Sequence, residues 1–151
     1  MAETREVDTR LGRQVVDLDK IIHFPRGIIG YEDRKEFTLL QIRPDAPFLV
    51  LQSMDEPTLG LLVADPYGFM PDYTIKVGDA EQKLLKISKR EELAVLVTVA
   101  IPPGKPEHTV LSLTGPILIN QAEKIGIQAP QTDLKGPTKL LLNTADLTPI
   151  Q

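Results

Sequence analysis

The sequence predicts a mostly β fold: a small antiparallel, barrel-like single domain with one short helix. Thirteen prolines and ten glycines punctuate the chain at short intervals. Between them lie brief runs rich in Val, Ile, Leu, Phe and Thr, the pattern of short strands joined by turns. Several runs, "PFLVLQS", "LGLLVA" and "AVLVTVAI", are apolar on both faces. Such strands are covered on both sides or lie in a closed barrel. The 151 residues fit one domain, taken as 1–151. A chain of that size buries roughly 70% of its extended surface without a metal or disulfide staple.

The elements follow in order. Strands are expected at Gln14–Leu18, Lys20–Phe24, Phe37–Ile42, Phe48–Ser53, Leu59–Ala64 and Tyr73–Val77. Gly78-Asp79 then opens a helix, with Asp79 as N-cap and Ala80–Ile87 as its body. Leu84, Leu85 and Ile87 supply the face that packs on the sheet. "SKREEL" makes a short turn before the next strand, Ala94–Ile101. "HTVLSL" alternates, with Thr109, Leu111 and Leu113 on one side and His108, Val110 and Ser112 on the other, as a half-buried strand does. Thr109–Thr114, Pro116–Asn120 and Lys139–Asn143 complete the set. Patterning weakens after Gly126, and the stretch from 129 to 151 is expected to attach loosely.

Composition narrows the function. With 42% apolar and 25% charged residues, the chain reads as an ordinary globular domain. The absence of cysteine excludes disulfides, thiol catalysis and thiolate metal sites. No apolar run is long enough to cross a membrane as a helix. The opening "MAETREVDTRLGRQ" is charged and has no apolar core, so a cytoplasmic location is expected. A net charge of −4 argues against direct nucleic-acid binding, which needs a basic footprint. Lys83, Lys86, Lys89 and Arg90 are the densest basic stretch, and Glu81, Glu91 and Glu92 interrupt it.

Chemistry is sparse. His23 and His108 are the two histidines, and they form no closely spaced ligand pair, so no metal site is expected. No nucleophile elbow surrounds Ser53, Ser88 or Ser112. "GIIG" at 27–30 lacks dinucleotide spacing and is better read as a tight loop with a glycine at positive φ. No Walker motif is present. The usual catalytic constellations are missing, so neither an enzyme nor a cofactor is expected.

What remains is unusual loop content. Ile28-Ile29-Gly30-Tyr31-Glu32, Met54-Asp55-Glu56 and the stretch from Asp65 through Phe69, Met70 and Asp72 to Tyr73 put apolar side chains beside carboxylates in turns. Loops are normally polar, and this mixture is that of an interface core with a polar rim. The expected partner-binding residues are therefore Ile28, Tyr31, Glu32, Asp55, Glu56, Asp65, Phe69, Met70 and Asp72. The plainer alternative is that Phe69 and Met70 plug an end of the barrel and that the Asp-Pro and Glu-Pro steps are turn chemistry. A different alternative is a small-ligand-binding β-barrel with a lined cavity.

Three segments resemble the signatures of the flagellar assembly factor FliW family: "HFPRGIIGYEDRKEFTLL", "PFLVLQSMDEPTLGLLVADPYGFMPDY" and "SLTGPILINQAEKIGIQ". They stand in family order and span roughly Ile21 to Gln128. There are departures. Ile29 stands where proline is usual, Ser112 and Gly115 replace the common asparagine and alanine, and "APQTDLKGP" follows Gln128. The resemblance implies a small β-barrel-like protein of the bacterial cytosol. It implies two partners, a CsrA-type translational regulator and flagellin. It also implies a function: antagonism of the regulator, so that flagellin level controls flagellin translation. An acidic antagonist suits a basic RNA-binding partner.

Overall fold

The computed structural model describes residues 3–9, 11–41, 48–101, 104, 108–131 and 139–141. The chain opens with a hairpin of β1 (Thr4–Thr9) and β2 (Gly12–Asp17). Then come β3 (Ile22–His23), β4 (Glu36–Gln41), β5 (Phe48–Ser53) and β6 (Gly60–Ala64). Helix α1 (Asp79–Leu85) separates these from β7 (Leu93–Ala100), β8 (Val110–Ser112), β9 (Ile117–Asn120), β10 (Ile125–Gln128) and β11 (Lys139–Leu141).

Strands β3 to β7 pair antiparallel in sequence order, and β7 also pairs with β9. Since β9 pairs with β10 and β10 with β3, the ladder returns to its start. The β3–β10 join is one parallel residue pair, His23 with Ile125, so the ring is barrel-like and not a true barrel. β8 and β9 both run antiparallel along β7, at its far and near ends respectively. Residues 113–116 interrupt what is in effect one bent strand.

The interior is filled by Ile22, Phe24, Phe37, Leu51, Leu59, Val63, Leu96, Ile117 and Ile119. Phe24 and Phe37 meet edge to face with centroids 5.3 Å apart. Gly126 is the reason Phe24 fits: a Cβ there would fall 2.5 Å from its ring. These side chains pack the middle of the ring, where the small-ligand alternative would need a lined cavity. On the outside, α1 lays Leu85 against Leu118 and Ile127. Asn120 secures that contact, donating from Nδ2 to the Leu85 carbonyl at 2.8 Å and accepting from the Ala122 amide at 3.0 Å. One side chain thus terminates the helix and shapes the β9–β10 turn.

Most expected strands are present, and Phe48–Ser53 has the expected bounds. The alternation in "HTVLSL" holds: Thr109, Leu111 and Leu113 are buried, whereas His108 is exposed. Four expectations need correction. Tyr73–Val77 forms no strand: Tyr73 is buried, and Ile75 and Val77 pack against the cluster of Leu85, Leu118 and Ile127. The Lys76 amide donates to the Gln131 side chain at 2.7 Å, and the Gln131 amide returns a bond to the Lys76 carbonyl at 3.0 Å. Gly78, not Asp79, is the N-cap, with no side-chain cap bond. The charged β1 was not expected. Nor was β10; among the described residues after it, Ala129 is buried and β11 pairs with β8, and the stretch from 129 to 151, apart from 129–131 and 139–141, lies outside the described residues. Residues 142 and 143 of the last expected strand lie outside the described residues.

Candidate functional site

The candidate residues divide between two ends of the ring. At one end, residues 25–35 join β3 to β4, and the Met54–Leu59 turn joins β5 to β6. The register brings these loops together. Phe37 pairs with Ser53, and the Met54 amide donates to the Glu36 carbonyl at 2.9 Å. Arg34 Nη2 lies 3.6 Å from Glu56 Oε2 and links them again at the surface.

Local chemistry fixes both loops. Gly27 and Gly30 have φ of 66° and 90°, in the left-handed region that glycine adopts freely. A Cβ on Gly27 would sit 2.6 Å from the Glu32 backbone. The Gly30 amide donates to Glu32 Oε2 at 2.9 Å, and the Ile29 amide to Gln128 Oε1 at 3.0 Å. Gln128 Nε2 in turn donates to the Gly115 carbonyl at 2.9 Å, so β10 pins the loop tip. In the neighbouring turn, buried Gln52 donates to the carbonyls of Ser53, Glu56 and Pro57. Ser53 Oγ accepts the amides of Asp55 and Glu56.

This loop end presents Ile29 and Tyr31, 56% and 45% exposed. Exposed Glu32, Asp33 and Asp55 stand beside them, and Glu56 is half-buried. Ile28 is corrected from surface to core: it is 2% exposed and packs in the interior. A tight glycine turn sends adjacent side chains to opposite sides, and two neighbouring isoleucines carry no pattern to say which points out. Ile29 is the surface residue that sequence reasoning missed.

At the other end, β6 runs into the Pro66–Gly68 turn. Asp65 Oδ1 accepts the Tyr67 amide at 2.9 Å, which is a cap. Phe69 and Met70 are corrected from free anchors to packed side chains. Both are half-buried against the cluster of Phe48, Ala64, Val97 and Leu111. Phe69 stacks on Phe48 with centroids 6.3 Å apart. The Tyr73 hydroxyl donates to the Leu113 carbonyl at 2.6 Å. Burial, with a smaller contribution from Tyr67, pushes its phenol up to about 12. Tyr67 and Asp72 remain exposed on a groove of about 710 Å³ that Ile75, Gln82, Ile87 and Val95 also line.

The nine expected residues therefore do not form one patch. Tyr31, Glu32, Asp55 and Glu56 share the loop end, while Asp65, Phe69, Met70 and Asp72 lie at the far end of β6. Five residues of strand place these ends roughly 17 Å apart. No three His, Asp or Glu side chains gather as a metal site among the described residues, and no described helix is long and apolar enough to cross a membrane.

The profile of the FliW protein family matches residues 6–142. A flagellar assembly factor FliW of Nitratidesulfovibrio vulgaris (strain DP4) is 62% identical over 141 residues, covering 93% of this chain and 82% of the relative. One from Desulfovibrio desulfuricans is 54% identical, covering 92% and 84%. A crystal structure of the flagellar assembly factor FliW superposes with a TM-score of 0.83 at 28% identity, covering 93% of this chain and 97% of that one.

Proposed function

The chain belongs to the FliW family of flagellar assembly factors, and from that premise we propose that it acts by binding proteins, not by catalysis. In this reading it captures a CsrA-type translational regulator, keeps it from messenger RNA, and gives it up when flagellin binds instead. The whole cycle runs in the cytoplasm and uses no cofactor.

The observation that carries the reading is the loop end. Two apolar side chains stand exposed on a braced backbone, with carboxylates around them. Rigid aromatic anchors ringed by polar groups are the composition of interface hot spots. Carboxylates there attract a basic RNA-binding surface and, once docked, repel phosphate. The bonds within the loops keep the ordering cost of docking low. Asp72 and Tyr67, at the far end, suit the second partner if the two partners use different surfaces.

Calorimetric titration with a purified CsrA-type regulator tests this. A saturable complex is expected, one that releases the regulator's leader RNA and is dissolved by added flagellin. No heat with either protein overturns the reading. Reversing Asp55 to Lys is expected to slow association and flatten its salt dependence more than it speeds dissociation.

A further inference from the structure

A second groove lies away from the loop end. There Ile22 of β3, Thr38 and Leu39 of β4, Ala94 of β7 and Ile119 of β9 border an apolar groove of about 220 Å³. The groove exists because Ala94, paired with Ile119, is small where its neighbours on the ladder are large. Lys20 and Lys124 stand at its rim.

Both lysines are fixed by their backbones. The Lys20 carbonyl accepts from buried Thr38 Oγ1 at 3.2 Å. The Lys124 amide donates to the Asn120 carbonyl at 2.8 Å, and its own carbonyl accepts the His23 amide at 2.8 Å. Lys124 has φ of 56°, a left-handed conformation that suits glycine or asparagine in a strand-joining turn. Lys86 shares that conformation, but as the ordinary C-cap of α1. Neither rim ammonium is buried in an ion pair. Lys20 reaches Asp17 at 3.8 Å across a solvent-exposed gap, a contact that holds it weakly. Lys124 Nζ donates to the Gln121 carbonyl.

We propose that this groove binds a short aliphatic carboxylate, its tail on Ile22, Leu39, Ala94 and Ile119 and its head between Lys20 and Lys124. The small volume excludes a drug-sized ligand. An apolar floor with two cations at one rim complements a molecule with an anionic head and an apolar tail. Backbone strain at an observed outlier is a sound starting point for a functional argument, and here it holds a charge at the mouth of the groove.

Octanoate is the probe, titrated into the intact chain while the methyl resonances of Ile22, Leu39, Ala94 and Ile119 are followed. Saturable shifts with a Kd of about 1 mM or tighter are expected, the affinity that a ligand of this few heavy atoms reaches. Octanol binds more weakly and octylamine weakest. Lys124→Gly lowers octanoate affinity about tenfold, as loss of a charged hydrogen bond does, while thermal stability holds or rises because the strain is gone. Ala94→Leu fills the groove and abolishes the shifts. The proposal fails if octanoate shifts no groove methyl, if octylamine binds as well as octanoate, or if folded Ala94→Leu binds unchanged.

Discussion

The loop end of the ring and the end beyond β6, called the helix end because Gln82 of α1 borders its groove, carry similar residues and use them differently. Each has a glycine-bearing turn, an aromatic and two or more carboxylates. At the loop end the apolar residues Ile29 and Tyr31 point out, and the polar side chains Gln52, Ser53 and Gln128 hold the backbone from behind. At the helix end Phe69 and Tyr73 turn inward, and Asp65 spends its carboxylate on a cap. What separates the two is the wiring of the backbone. A loop whose amides and carbonyls are satisfied by buried side chains can leave its apolar groups outside. A turn that ends a strand and packs back on the core buries its own.

Glycine substitution gives the sharpest contrast. Gly27→Ala combines left-handed strain with a Cβ 2.6 Å from the Glu32 backbone, so a loss of about 3 kcal/mol is expected. Gly68, in the other turn, has open space around it and no positive φ. Gly68→Ala should change stability by less than about 0.5 kcal/mol. Denaturant unfolding of both variants measures this. Equal losses would mean that the two turns are held alike.

The aromatic pair comes next. Phe69→Ala removes a stacked, half-buried ring, with an expected loss of about 2 kcal/mol in stability. Tyr31→Ala should cost under about 0.5 kcal/mol in stability, yet about 2 kcal/mol in affinity for a CsrA-type regulator. If Phe69→Ala folds normally and binds weakly while Tyr31→Ala does neither, the binding surface lies at the helix end.

Gln128 tests the bracing more gently. Gln128→Ala leaves the Ile29 amide without its partner and the Gly115 carbonyl without its donor. A loss of about 1 kcal/mol is expected, with faster hydrogen exchange at Ile29 and not at Tyr67. Unchanged exchange would show that Gly27 alone fixes the loop.

Much of this was readable in advance, and the exceptions share a cause. Strands with apolar runs announce themselves, as Phe48–Ser53 does. β1 did not, because only Val7 of its six residues is buried and its outer face is charged. Tyr73–Val77 reads as a strand by period, but period reports which side chains are buried and not whether a neighbouring strand covers the backbone. For the site, the glycine loop and the acidic turn were legible as features. Which of Ile28 and Ile29 faces out was not, since it depends on contacts with Glu32 and Gln128 that lie elsewhere in the chain. The same holds for the signature segments. Phe24, Gly27, Gln52, Ser53, Asn120, Gly126 and Gln128 are all buried or bonded parts of the scaffold. They identify the fold, and the exposed side chains Ile29 and Tyr31 are not among them.

The last expected effect concerns pH, and it separates the ends through their tyrosines. Tyr73 is buried, and its phenol is pushed up to about 12, whereas Tyr31 stands in solvent. The folded state therefore favours the protonated Tyr73. Its folded pKa lies above the unfolded value of about 10, so the unfolded chain loses this proton first. The contribution is fully present below about pH 10 and is lost as pH rises from there to about 12. An ultraviolet titration should show one tyrosine titrating late, above the usual phenol range. Tyr73→Phe should remove that late step and flatten the fall in stability across the same window, though it also gives up the bond to the Leu113 carbonyl. Tyr31→Phe should change neither. If Tyr73 titrates normally in the folded protein, the helix end is open enough for water to reach its ring, and the contrast between the two ends is smaller than the packing indicates.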